Sequence, residues 1–208
     1  MTWNKAMKVA AATVLIAMPA VSQTTTPVRE QRILSFIHET NVLEIEAAKQ
    51  ALSTSSSDAV KNFAQQMIDD HQAADAQVRT YARAHGIDVD QLRSRLDDIS
   101  QERLEQARRA RTVGSATGEW AWTWENTLYK RRDDDQELAK LRTLKGGAFD
   151  REFVGAMVDG HGKAIDRLTS AKIGNISPDL RALIEGLLPT IRNHLETAQS
   201  VQATVAKN

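Results

Sequence analysis

A chain of 208 residues with only four prolines and ten glycines fits one ordinary domain with room for a sizeable core. The absence of cysteine excludes disulfides, thiolate metal sites, a cysteine nucleophile and a lipid-anchored N-terminal cysteine. Lys plus Arg equals Asp plus Glu at 27 each, so the composition offers no basic surface for phosphate, and no nucleic-acid partner is expected. A composition rich in Ala, Leu, Gln, Arg, Asp and Glu favours helices over sheets.

The first residues read as a targeting segment. Lys5 and Lys8 form a basic start, Val9 to Ala17 an apolar run, and Ala20 and Ser22 the small residues at minus three and minus one of a cleavage site before Gln23. The run is too short to span a bilayer, which needs about twenty apolar residues. Residues 1–22 are therefore set apart as a signal peptide, and residues 23–208 are expected in the periplasm or outside the cell. Removing the two lysines leaves 25 positive against 27 negative side chains, a net charge of minus two.

Four amphipathic segments follow, each projected at about 100° per residue. The first runs from about Arg29 to Leu52, with a stripe of Ile33, Phe36, Ile37, Thr40, Leu43, Ala47, Ala48 and Ala51. Glu44 falls in the middle of that stripe, away from Glu39 and Glu46 on the charged flank. After the polar turn Ser53 to Ser57, Asp58 is the expected N-cap of a second helix. Its stripe is Val60, Phe63, Ala64, Met67, Ala74, Val78, Tyr81 and Ala82, with His71 near the centre and His85-Gly86 at the C-terminal end.

Residues from about 90 to 134 read as a helical insertion between the second and third helices. Leu92, Leu96, Ile99 and Arg103 share one face of a highly charged helix. In Trp120-Ala121-Trp122-Thr123-Trp124, a helix would align Trp120, Trp124 and Leu128, whereas a strand would align the three tryptophans. This cluster either packs back on the domain or offers a patch to a protein or envelope partner. Arg131-Arg132-Asp133-Asp134-Asp135 reads as a solvated turn, and Leu138, Leu141 and Leu144 lead back to the core.

A third helix is expected from about Phe149-Asp150, after a break at Gly146-Gly147, to Gly174. Its face holds Phe153, Met157, His161, Ala164, Ile165 and Leu168. Ser177-Pro178 announces the fourth helix, an N-cap followed by proline at the first helical position. Its stripe of Leu180, Leu183, Ile184, Leu187, Leu188, Ile191, Leu195, Ala198 and Val201 includes His194. Pro189 interrupts this helix, and a kink about one turn before His194 is expected.

Phe63-x-x-x-Met67-Ile68-Asp69-x-His71 has a close counterpart in Phe153-x-x-x-Met157-Val158-Asp159-x-His161. This repeat suggests two helical hairpins, the first two helices against the last two, related by a pseudo-two-fold axis. The run from Ile33 through His71, Gly146-Gly147-Ala148-Phe149-Asp150, Met157 to His161, and Leu188-Pro189-x-x-x-x-His194-Leu195 resemble an exported bacterial family, domain of unknown function 4142. The resemblance covers most of the chain outside residues 90–134. It implies an all-α, ferritin-like antiparallel four-helix bundle, and it implies no defined reaction.

Glu44, His71, His161 and His194 come one from each helix, each near the middle of an apolar face. Each lies within about four residues of its helix midpoint, roughly 6 Å at 1.5 Å per residue, so in an antiparallel bundle the four converge. Three imidazoles and one carboxylate suit one first-row divalent metal ion, Zn, Cu, Fe or Mn. Asp70, on the flank of the second helix, is a candidate to orient one of them. The competing reading is a proton-shared polar network with no ion, since buried carboxylates and imidazoles satisfy one another.

A di-iron centre fits less well. Such sites place Glu three residues before the ligating His, where this chain has Ile68, Val158 and Ile191. Ser35 and His38 share a helix, but no orienting third group accompanies them and no catalytic residue is assigned. The chain reads as a binding or interaction protein rather than an enzyme.

Overall fold

The computed structural model describes residues 26–92, 94 and 136–207. All regular structure among these is helical, as the composition predicts. Four long helices carry it: α1 (Val28–Thr54), α2 (Asp58–Ala84), α3 (Gly146–Ile173) and α4 (Pro178–Val205). Shorter helical stretches occupy residues 89–92 and 136–143. No helix among the described residues is long and apolar enough to cross a membrane.

The helix ends follow local chemistry, with two corrections. The N-cap of α2 is Ser57, whose Oγ accepts from Val60 N at 3.4 Å. Asp58 is the first helical residue instead, where its charge still favours the positive end of the helix dipole. α3 begins at Gly146, with Lys145 as N-cap, three residues before the expected start, and the φ of +55° at Gly146 marks the backbone turn there. At the far end of α2, Gly86 takes φ +65°. There Ile87 N donates to Ala82 O at 2.8 Å and Gly86 N to Arg83 O at 3.2 Å, the paired bonds of a Schellman cap. Ser177 caps α4 as expected, accepting from Leu180 N. α4 then runs unbroken through Pro189, so the proline deletes one backbone bond without ending the helix.

The apolar side chains sort into two clusters separated by a polar layer. One cluster joins Ala47, Ala48 and Ala51 of α1, Phe63 and Met67 of α2, Phe149 and Phe153 of α3, and Ala198 and Val201 of α4. The other joins Leu34 and Ile37, Val78 and Tyr81, Ala164 and Leu168, and Leu180 and Ile184, again from all four helices. Each helix therefore passes from one cluster to the other. In chain order α1 and α4 run in one direction, and α2 and α3 in the opposite one.

α1 packs on α2 and α3, and α4 packs on α2 and α3, so every strongly packed pair is antiparallel. α2 ends beside one cluster and α3 starts beside the other, so these two ends lie about a helix length apart, roughly 40 Å. Ile87, Val89 and Leu92 pack on the first of these ends, while Leu138 and Leu141 pack on the second.

This arrangement fits two hairpins related by a pseudo-two-fold axis, which runs along the bundle, so that like faces meet in the core. The repeated segments lie on α2 and α3, which are parallel and face each other across the core: the Phe63 and Phe153 rings are 6.2 Å apart, and the His71 and His161 rings 5.8 Å apart. The pair matching α1–α2 is thus α4–α3, with chain order reversed. Tandem copying of a hairpin would instead equate α2 with α4.

Burial on α1 extends beyond the predicted stripe to Leu34, Ser35, His38 and Asn41. α2 and the segment after it supply the partners. His38 Nδ1 lies 2.6 Å from Asp75 of α2, and its Nε2 lies 3.6 Å from Asp90. Arg79 grips Asp90 with two nitrogens at 2.8 Å and holds that carboxyl below its usual range. Ser35 donates instead to Glu39, so Ser35 and His38 do not form a pair. The expected leader at 1–22, Leu96, Ile99, Arg103, the cluster Trp120, Trp122 and Trp124, and the turn at 131–135 lie outside the described residues.

Candidate metal centre

The polar layer between the two clusters is built from the middle of every helix. It contains Asn41 and Glu44 of α1, His71 of α2, His161 of α3 and His194 of α4, all buried. Helical periodicity places each of them among apolar neighbours, and the antiparallel packing brings their depths into register. The four residues singled out from the sequence, Glu44, His71, His161 and His194, are brought together. One ring nitrogen from each histidine lies within 4.8 Å of the other two.

Each imidazole has its outward nitrogen held by an acceptor. His71 Nδ1 is 2.9 Å from Asn41 Oδ1, and His161 Nδ1 is 2.8 Å from the Met157 carbonyl on its own helix. His194 Nε2 is 2.8 Å from Asp70 Oδ2. Carbonyl and carboxylate oxygens only accept, so neutral histidines that donate to these partners carry their ring protons on the outward nitrogens. The lone pairs of His71 Nε2, His161 Nε2 and His194 Nδ1 are left facing inward.

The inward contacts are close and electrostatically incomplete. His161 Nε2 and His194 Nδ1 are 3.3 Å apart, and Glu44 Oε2 lies 2.8 Å from His71 Nε2 and 3.6 Å from His161 Nε2. Despite its distance, the His71–Glu44 contact is not aligned as a hydrogen bond, and His71 Nε2 has no hydrogen-bond partner. Lone pairs directed at one another and at a carboxylate repel unless a positive charge lies between them. Either a shared proton or a metal cation supplies that charge.

Burial pulls the His194 pKa below the usual imidazole range, the Asp70 hydrogen bond opposes that shift, and the neighbouring His71 and His161 reinforce it. A neutral ring is the form that ligates a metal, so burial clears the proton that would compete. The same shift gives a stability prediction for the metal-free protein. The unfolded chain binds this proton near pH 6.5 and the folded chain only at lower pH, so the unfolded state binds more protons in between. Stability contributed by neutral His194 is therefore present above about pH 6.5 and is lost as the pH falls below it. Melting of chelator-treated protein at pH 7.5 and 5.5 should show a larger drop for the native chain than for His194→Gln.

The distances compare well with a first-row ion. Zn–N bonds of about 2.0–2.1 Å set tetrahedral ligands about 3.3 Å apart. The His161–His194 and His161–Glu44 separations of 3.3 and 3.6 Å match this spacing, whereas the 4.8 Å limit on the three nitrogens requires a modest inward closure. Asp70 holding His194 reproduces the carboxylate–histidine support common behind metal ligands. Asn41, which supports His71, was absent from the stripe read in the sequence. Its signal was available, since it lies three residues before Glu44 on the same side of α1.

The sequence matches the family described as "Domain of unknown function (DUF4142)" over residues 16–113 and 125–201. The match passes through much of the stretch read as an insertion at 90–134, so only residues 114–124, which contain the three tryptophans, stand outside it. No curated protein and no solved structure matches the chain. With most of its length matched on both sides of that gap, the chain belongs to the DUF4142 family.

Proposed function

We propose that this protein is an exported, ferritin-like four-helix bundle that holds one first-row divalent metal ion between Glu44, His71, His161 and His194. One observation carries the metal reading: all three histidines spend their outward nitrogen on an acceptor and turn the other lone pair toward a common point. A core network built for packing alone has no need to orient three rings in this way. Antiparallel packing with one long crossover between α2 and α3 supports the ferritin-like arrangement, in which a single crossover is the distinguishing connection. The basic, then apolar, then small-residue start of the chain supports export to the periplasm or beyond.

The donor set favours a single ion. Ile68, Val158 and Ile191 stand where a di-iron site needs carboxylates, so iron storage or oxidation at a paired centre is not part of this reading. Metal analysis of the full chain purified from the exported fraction tests it. The expected result is one ion per chain, with chelated protein regaining thermal stability on addition of Zn or Co. Protein that carries no ion and melts unchanged with every ion offered sinks the proposal.

That negative result would favour a second reading, an envelope interaction protein. Its supporting observation is that Trp120, Trp122 and Trp124 fall in the stretch that the family match skips, so this chain carries an aromatic cluster of its own there.

A further inference from the structure

Beside the polar layer lies a half-open cavity of about 20 Å³, lined by Asn41, Glu44, His71 and His161 and by the apolar Phe36 and Ala164 among others. A water needs about 10–15 Å³ of such space, so the cavity suits a ligand of one to a few atoms. His194 is not among its walls, so the cavity reaches the layer from the side of α1 and α3. Asn41 is 4% exposed, and its Nδ2 makes no hydrogen bond, although its oxygen holds His71. Leaving a buried amide N–H unsatisfied costs about 1–3 kcal/mol, a cost that an acceptor in the cavity would remove.

Charge narrows the class of ligand. The Arg167 guanidinium lies 4.1 Å above the Phe36 ring, which puts a positive charge next to one wall. Three neutral imidazoles and one carboxylate around a divalent ion leave a net charge of plus one. First-row ions other than tetrahedral Zn commonly accept a fifth or sixth ligand, and the cavity borders three of the four proposed protein donors.

We propose that this cavity admits a small exogenous ligand, water or hydroxide or an anion of two or three atoms, onto the metal ion, and that Asn41 Nδ2 donates a hydrogen bond to it. The inference rests on the metal reading above and extends it from a closed structural site to one with an accessible coordination position. The protein would then bind and discriminate small anions at its metal.

Cobalt(II) and azide test this with the full chain. Cobalt binding is read first from its visible d–d bands, and azide is then titrated into the loaded protein. Azide should shift those bands saturably. Asn41→Asp removes the N–H donor and adds a negative charge beside the ion, so at cobalt saturation it should weaken azide at least tenfold. Ala164→Val, which narrows the cavity away from the ligands, should keep cobalt and also weaken azide. Cobalt bands that azide leaves unchanged overturn the accessible position while sparing the metal site. An absence of cobalt bands from the outset overturns both.

Discussion

His161→Ala should abolish stoichiometric metal binding, with an affinity loss well beyond the roughly 10- to 100-fold that follows loss of a supporting group. His161 is 1% exposed and lies within 3.6 Å of both Glu44 and His194, so its loss removes a donor that borders two of the other ligands. A ligand at 100 times its dissociation constant stabilises a protein by about 2.7 kcal/mol, and a chain of this size gains about 2–4 °C per kcal/mol. Saturating metal should therefore raise the melting temperature of the native chain by roughly 5–10 °C and that of His161→Ala by almost nothing. Calorimetric titration and thermal melts with and without chelator read the two effects separately. Native-like affinity in His161→Ala would remove this histidine from the site and leave the layer to the proton-shared network.

Most of the polar layer was legible because it rests on one short-range rule. Glu44, His71, His161 and His194 interrupt apolar stripes, and the interruption survives whatever the helices pack against. Their common depth was legible too, since helix midpoints follow from caps at Ser177 and Gly86 and from the glycine after α3. What periodicity could not supply was anything imposed by distant chain. His38 is buried because the segment at residues 87–92 folds back over α1, and nothing within α1 announces that. Asn41 could be placed on the inner side of α1 by its spacing from Glu44, but only the approach of His71 from α2 gives its oxygen a partner.

The symmetry suggested by the repeat was legible in kind but not in its axis. A sequence repeat fixes which segments are alike but not the axis that relates them. Because Phe63 and Phe153 meet across the core, like segments face each other on parallel helices, and the axis runs along the bundle. The capping error is small, a choice between adjacent residues that both favour a helix start, decided by which side chain reaches the free amide of Val60.

Stability and the site belong to different parts of this molecule, and Phe153→Ala should separate them. Phe153 is fully buried, stacks on Phe149 with ring centres 6.0 Å apart, and tilts against Phe63. Truncating a buried phenylalanine costs about 3–5 kcal/mol through lost transfer energy and the cavity left behind. At about 2–4 °C per kcal/mol the melting temperature should fall by roughly 6–20 °C, which scanning calorimetry on the metal-free protein would measure. Phe153 lies eight residues from His161, about 12 Å along α3. The metal stoichiometry of folded Phe153→Ala should therefore remain that of the native chain. Phe63 couples the two regions, with its ring edge-on to His194 at 6.4 Å. If Phe153→Ala loses metal as completely as His161→Ala while still folded, the polar layer is held in place by the aromatic cluster and not by the hydrogen bonds from Asn41, Met157 and Asp70. The division between an apolar frame and an independently oriented set of ligands would then have to be abandoned.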